Sequence, residues 1–154
     1  MAYSVITKPT VGNGVSKANE GDKIVDNFAY LYALRNQSFY VPLNGATALV
    51  TGDKQYWRVP AKFNGGTLVG VAASCKVAST SGAVELAVKN GATSMLSTNI
   101  SLDQNETDTL TAATPAVINP ATSGLATGNF IEFSVVSAGT GVTYCGVELT
   151  VRPA

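Results

Sequence analysis

From Gln55 to the C-terminus, apolar and polar residues take turns in short runs, and Gly, Asn, Ser or Pro separates one run from the next. Val69, Val71, Ala73, Cys75 and Val77 share one parity, with Ser74 and Lys76 on the other. Val84, Leu86 and Val88 repeat the pattern, as do Leu96, Thr98, Ile100 and Leu102. So do Ile131, Phe133 and Val135, and finally Cys145, Val147, Leu149 and Val151. A strand turns successive side chains to opposite faces, so each run reads as a strand with one dry and one wet side. Many short strands of this kind pack as an antiparallel sandwich or barrel. Strands are expected near 39–43, 47–50, 55–60, 67–78, 83–89, 94–102, 108–112, 116–118, 129–137 and 143–152. Asn64-Gly65-Gly66, Thr80-Ser81-Gly82, Asn90-Gly91 and Gly139-Thr140-Gly141 supply the turns between them. A chain of 154 residues suffices for one domain with its own core.

The first part of the chain follows another rule. Residues 1–14 contain Pro9, Gly12 and Gly14 without any period, and read as an extended arm. Ser16 is placed to cap a helix, and Glu20 and Asp22 suit its positive end. Ile24, Phe28, Leu31 and Arg35, widened by Val25, Tyr32 and Leu34, form one helical face. This predicts a helix over 17–36, about 30 Å long. The chain thus divides into an arm and amphipathic helix over 1–37 and a β-domain over 38–154. The stretch from Phe28 to Tyr32 exposes more apolar surface than a solvated helix tolerates, and must pack on the sandwich, on other copies or on another protein.

Little in the composition points to catalysis. The chain has no histidine, which removes the commonest general base, the commonest metal ligand and every histidine triad. The ten acids are scattered: Glu20, Asp22 and Asp26 fall in the helix, and Glu85, Glu132 and Glu148 on outward strand parity. The run Asp103-Gln-Asn-Glu-Thr-Asp108 suggests a calcium loop, but Thr107 and Asp108 break the EF-hand spacing, and a polar hairpin loop is expected instead. Gly45 through Lys54 lacks the spacing of a phosphate loop. No cofactor, metal or enzymatic activity is therefore expected.

Charged residues make up 13% and cancel to zero, without a basic cluster, so nucleic acid is not an expected partner. Near-zero net charge favours association. No apolar run reaches the roughly 20 residues of a membrane helix, and the N-terminus lacks a secretory pattern, so synthesis in a cytoplasm is expected. Cys75 and Cys145 share the apolar parity of their strands and read as buried thiols, with a bridge between them as the alternative. Trp57 shares parity with Val59 and is assigned to the core, leaving Tyr56 and Arg58 on the opposite face to meet a ligand or a neighbouring subunit.

Val15-Ser-Lys-Ala-Asn-Glu-Gly-Asp-Lys-Ile-Val-Asp-Asn-Phe-Ala-Tyr-Leu31 resembles the N-terminal helix of many tailed-bacteriophage virion proteins. Leu43-Asn-Gly45, Thr51-Gly-Asp-Lys54 and Val59-Pro60 are similar to the opening strands of phage jelly-roll modules, and Met95-Leu-Ser-Thr98 with Ile100 and Leu102 fits the same module. The resemblance covers about 15–151. It implies a jelly-roll β-sandwich used as a virion building block. Such modules serve as capsid decoration (cement) proteins, as head fibres and as tail or baseplate parts, commonly as trimers.

An arm, a helix and one sandwich suit a small decoration protein. The expected partners are the major capsid protein of the same virion and two further copies of the chain. The expected location is the capsid surface, after synthesis in the bacterial host. Contact surface is expected from Tyr3 and Val5 of the arm, Ile24, Phe28, Leu31 and Tyr32 of the helix, and Tyr56 and Arg58 of the sheet. The alternative is a head-fibre, tail or baseplate module that binds host-surface glycan through Tyr56 or Tyr144.

Overall fold

The computed structural model describes residues 36–154. The expected arm and helix, with Tyr3, Val5, Ile24, Phe28, Leu31 and Tyr32, lie outside the described residues. Asn36 precedes the first strand without regular structure.

Ten antiparallel strands follow: β1 (Gln37–Pro42), β2 (Lys54–Arg58), β3 (Thr67–Ser74), β4 (Val84–Asn90), β5 (Thr93–Ser94), β6 (Leu96–Thr98), β7 (Ile100–Leu102), β8 (Val117–Ile118), β9 (Phe130–Ala138) and β10 (Gly146–Arg152). One sheet runs β1-β10-β3, and a second runs β2-β9-β4, with β5 and β7 both pairing β4. A short ribbon joins β6 to β8. The fold is mainly β and sandwich-like, because the apolar sides of the two main sheets share one core. Leu68, Ala73, Val147, Leu149 and Val151 enter it from the first sheet, and Val84, Leu86, Val88, Ile131, Phe133 and Val135 from the second. No helix among the described residues is long and apolar enough to cross a membrane.

Alternation places these inward residues, and two bulges interrupt it. Leu68 pairs with Val151 while Gly70 pairs with Thr150, which leaves Val69 as an extra residue in β3. Leu68 and Ala73, of opposite parity, are therefore both buried, and Val69 and Val71 are only half-buried, contrary to the expected single parity. In β9, Leu86 pairs with Val135 and Glu85 with Ser137, so Val136 is extra and turns outward.

Five expected strands differ. Residues 47–50 form a loop whose Leu49 alone is buried, its N–H donating to the Val142 carbonyl at 2.8 Å. Residues 108–112 form no strand and meet β3 at the bridge between Ser74 and Asp108 and through Thr109, whose N–H donates to the Ala73 carbonyl and whose hydroxyl accepts the Ala73 N–H, both at 3.2 Å. The run 94–102 breaks into β5, β6 and β7 because it changes partner: β6 pairs β8 and β7 pairs β4. The Ser94 hydroxyl assists by bonding both the carbonyl (2.7 Å) and the N–H (3.2 Å) of Leu96. The last strand opens at Gly146 and not at residue 143, because Tyr144 has φ of 52° and the Asn44 side chain accepts the Cys145 N–H at 2.7 Å. Strand β3 likewise ends at Ser74, and Val77, expected inside, is exposed.

Strands β1 and β2 lie at sheet edges on one flank. Phe39 and Trp57 meet between them with ring centroids 4.4 Å apart, and Phe63 packs 5.8 Å from Trp57. Trp57 belongs to the margin of the core and is half-buried, a correction that follows from the edge position of β2. Pro42, which lacks an N–H, ends the other edge strand, where its loss to the ladder matters least.

Candidate functional site

The outer face of the second sheet gathers the most chemically varied surface side chains. Cross-strand register sets Tyr56 opposite Glu132, and Glu132 opposite Lys89. Arg58 stands opposite Phe130, and Lys54 opposite Ser134. Glu132 is the hub: one carboxylate oxygen is 3.1 Å from the Lys54 ammonium, and the other accepts the Tyr56 hydroxyl at 3.1 Å. Hydrogen bonding to Lys54 holds the Glu132 carboxyl below its usual range against the opposing effect of burial. Tyr56 and Phe130 are 54% and 57% exposed, so two aromatic surfaces stand in water beside three cations. Such a face binds by stacking, apolar contact and charge.

The structure brings Tyr56 and Arg58 together here, as the alternation of β2 predicts. Their neighbours Phe130 and Glu132 were legible from their parity opposite Ile131 and Phe133, although the sequence reading did not select Phe130. Tyr144 has different surroundings: its ring lies under the Lys76 ammonium, 5.3 Å from centroid to nitrogen, in the turn before β10.

Two further places hold polar groups. An open cleft of about 360 Å³ is lined by Glu85, Asn99, Ser101 and Ser137 among others. The Asn99 amide donates to Glu85 Oε1 at 2.8 Å, and Glu85 is the one carboxylate lining the cleft. In the loop after β7, the acids use oxygens on their own backbone and hydroxyls. Asp103 accepts the Ala113 N–H at 2.8 Å, Asp108 the Leu110 N–H at 2.9 Å and Glu106 the Thr111 hydroxyl at 2.8 Å. Among the described residues no three His, Cys, Asp or Glu side chains converge as a metal ion requires.

Cys75 and Cys145 are buried free thiols. The Cys75 thiol donates to the Glu106 carbonyl at 3.8 Å. Burial pushes the Cys145 thiol up to about 12, and raises Cys75 as well. The nucleophilic thiolate is thus suppressed at neutral pH. Both thiols should alkylate on the order of 100-fold more slowly in the native protein than in denaturant, as mass spectrometry after timed labelling would register. Rapid native labelling of Cys145 would contradict its burial.

A stability effect follows from the same residue. In the unfolded chain the Cys145 thiol ionises near its ordinary value of 9, and in the folded protein near 12. Between those values the folded state holds more protons, so stability falls as pH rises. One such group contributes a slope of about 1 kcal/mol per pH unit. Urea melts at stepped alkaline pH should show this slope reduced in Cys145→Ser relative to wild type; equal slopes would remove the assignment.

No protein-family model, curated protein or solved structure matches this chain.

Proposed function

We propose that this chain is a virion structural protein of the capsid decoration type, which binds the assembled head shell and stabilises it without catalysis. The reading is carried by the exposed Tyr56–Arg58–Phe130 face, a contact surface mounted on a rigid two-sheet core. Its partners are the major capsid protein and further copies of the chain, most simply a trimer at the capsid surface. The resemblance of 15–151 to phage virion modules supplies the class of assembly.

The strand order supports a jelly roll as the finer description. Strands β1, β2, β3 and β4 alternate between the two main sheets, and β9 and β10 return to pair within them. Segments around Asp108 and Gly124 bridge to the outer edge of β3, where an eight-strand double Greek key places another strand.

A specific contact between protein surfaces of this class buries about 1,200–2,000 Å². The expected anchor over residues 2–36 leads to a direct experiment. Co-sedimentation with empty shells should retain the full chain and lose the protein lacking 2–36, while residues 37–154 keep their core and fold. Undiminished retention of the truncated protein would overturn the anchor assignment. Within the full chain, replacing Tyr56 and Arg58 together by alanine should weaken shell retention by about 10-fold.

The exposure of Tyr56 and Phe130 also favours a second reading, a head-fibre, tail or baseplate module that binds host-surface glycan. A glycan array separates the two: saturable binding lost in Tyr56→Ala selects recognition over decoration.

A further inference from the structure

Opposite flanks of the 36–154 unit carry opposite charge. On the β2 side, Lys54, Arg58 and Lys89 surround the carboxylate of Glu132 on the outer sheet face, with Glu85 further along the same face of β4. Lys62 adds a cation nearby, 4.6 Å from the Phe63 ring centroid. On the other side, where β3 and β7 are neighbours, the segment after β7 returns to the edge of β3 at the Ser74–Asp108 bridge. Its residues 103–111 contain Asp103, Glu106 and Asp108 and no cation. Lys54–Glu132 is the one ion pair among the described residues, so Arg58 and Lys89 on one side and the three acids on the other have no ion-pair partner there, although Lys76 follows Cys75, whose N–H donates to the Thr107 carbonyl of the acidic segment.

The acidic segment also presents an apolar knob. Its three carboxylates are fastened to Ala113, Leu110 and Thr111, which fixes the loop. Leu110 stands 89% exposed, more than any other large apolar side chain among the described residues. The cationic face offers the counterpart, with Phe130 and Tyr56 exposed among Arg58, Lys54 and Lys89. An exposed leucine on an acidic loop and exposed aromatics beside Arg58 and Lys89 match in both polarity and charge.

We propose that a second copy of this chain occupies that face: Leu110 of one copy seats on Phe130 and Tyr56 of the next, with Asp103 and Asp108 facing Arg58. The contact joins unlike surfaces, so copies add head to tail and close into a ring when the rotation per contact divides a full turn. It deepens the assembly reading above, on which it rests for the expectation that copies meet at all, by naming the surfaces involved. Charge at the rim governs encounter and salt dependence, and the leucine–aromatic contact governs dissociation.

Sedimentation velocity of the full chain tests it, using wild type, Leu110→Asp, Phe130→Asp and an equimolar mixture of the two variants. Wild type should associate at about 50 mM salt and less at about 500 mM. Each variant alone should lose about 10-fold or more in association constant while keeping the wild-type circular dichroism, since both positions are exposed. The mixture should recover a heterodimer, because each variant retains one intact surface. A wild type that stays monomeric, a Leu110→Asp protein that associates like wild type, or a mixture that fails to pair would each overturn the contact. Shell co-sedimentation of the same samples separates the two readings. Self-association without shell binding strikes the decoration reading and leaves the contact standing, whereas shell binding by a protein that never self-associates does the reverse.

Discussion

Replacing Phe133 by alanine should lower the unfolding free energy by about 3–5 kcal/mol. Phe133 is fully buried at the middle of β9, between Gln55 on β2 and Val88 on β4 in the register. Its ring enters the core shared by the two main sheets. Truncation removes that apolar surface and opens a cavity, and neighbours such as Val88 and Leu86 are held by their own ladders and cannot collapse into it. Total stabilities of domains this size are about 5–15 kcal/mol, so the loss is a large share of the whole. Urea denaturation should show a lower midpoint with an unchanged slope. A midpoint within error of wild type would mean that the two sheets do not share this core.

Gly146→Ala should cost about 3 kcal/mol for a different reason. Gly146 opens β10, paired with Pro42 on one side and Ser74 on the other. The hydroxyl end of Tyr40 lies against it, so an added β-carbon would overlap the Tyr40 Cζ and hydroxyl and stand 2.7 Å from the Val41 carbonyl oxygen. The ring can swing aside, but the carbonyl belongs to the β1–β10 ladder and can move only by parting the strands. Tyrosine titration gives a second readout. Burial holds the Tyr40 hydroxyl above the usual tyrosine range, and a displaced ring should titrate closer to normal. A Gly146→Ala protein with wild-type stability and titration would contradict the placement of Tyr40.

The inward strands were legible because burial on one face writes itself into alternate residues. Val84, Leu86 and Val88, and Val147, Leu149 and Val151, face the core as their parity predicts. The bulges at Val69 and Val136 were not legible, since an extra residue in a strand changes register without changing composition. The loop at 47–50 misled for a related reason: Leu49 and Val50 look like a strand, yet the chain needs only one anchor there and leaves Val50 in water. Leu110 misled in the opposite sense, as an apolar residue in an expected strand that proves to be an exposed knob on a polar loop. Tyr56 and Arg58 were readable as a pair from β2 alone. Their companions Phe130, Glu132 and Lys89 come from distant segments and are joined to them only by strand order, which local pattern does not encode.

The proposed decoration role has one central consequence, placement of the chain on the outside of the head. Electron microscopy of virions carrying the chain, labelled with gold through an antibody against residues 37–154, should place the label over the head surface in a repeating arrangement. Label confined to the tail or to fibre tips, or intact particles with no label, would contradict a decoration protein.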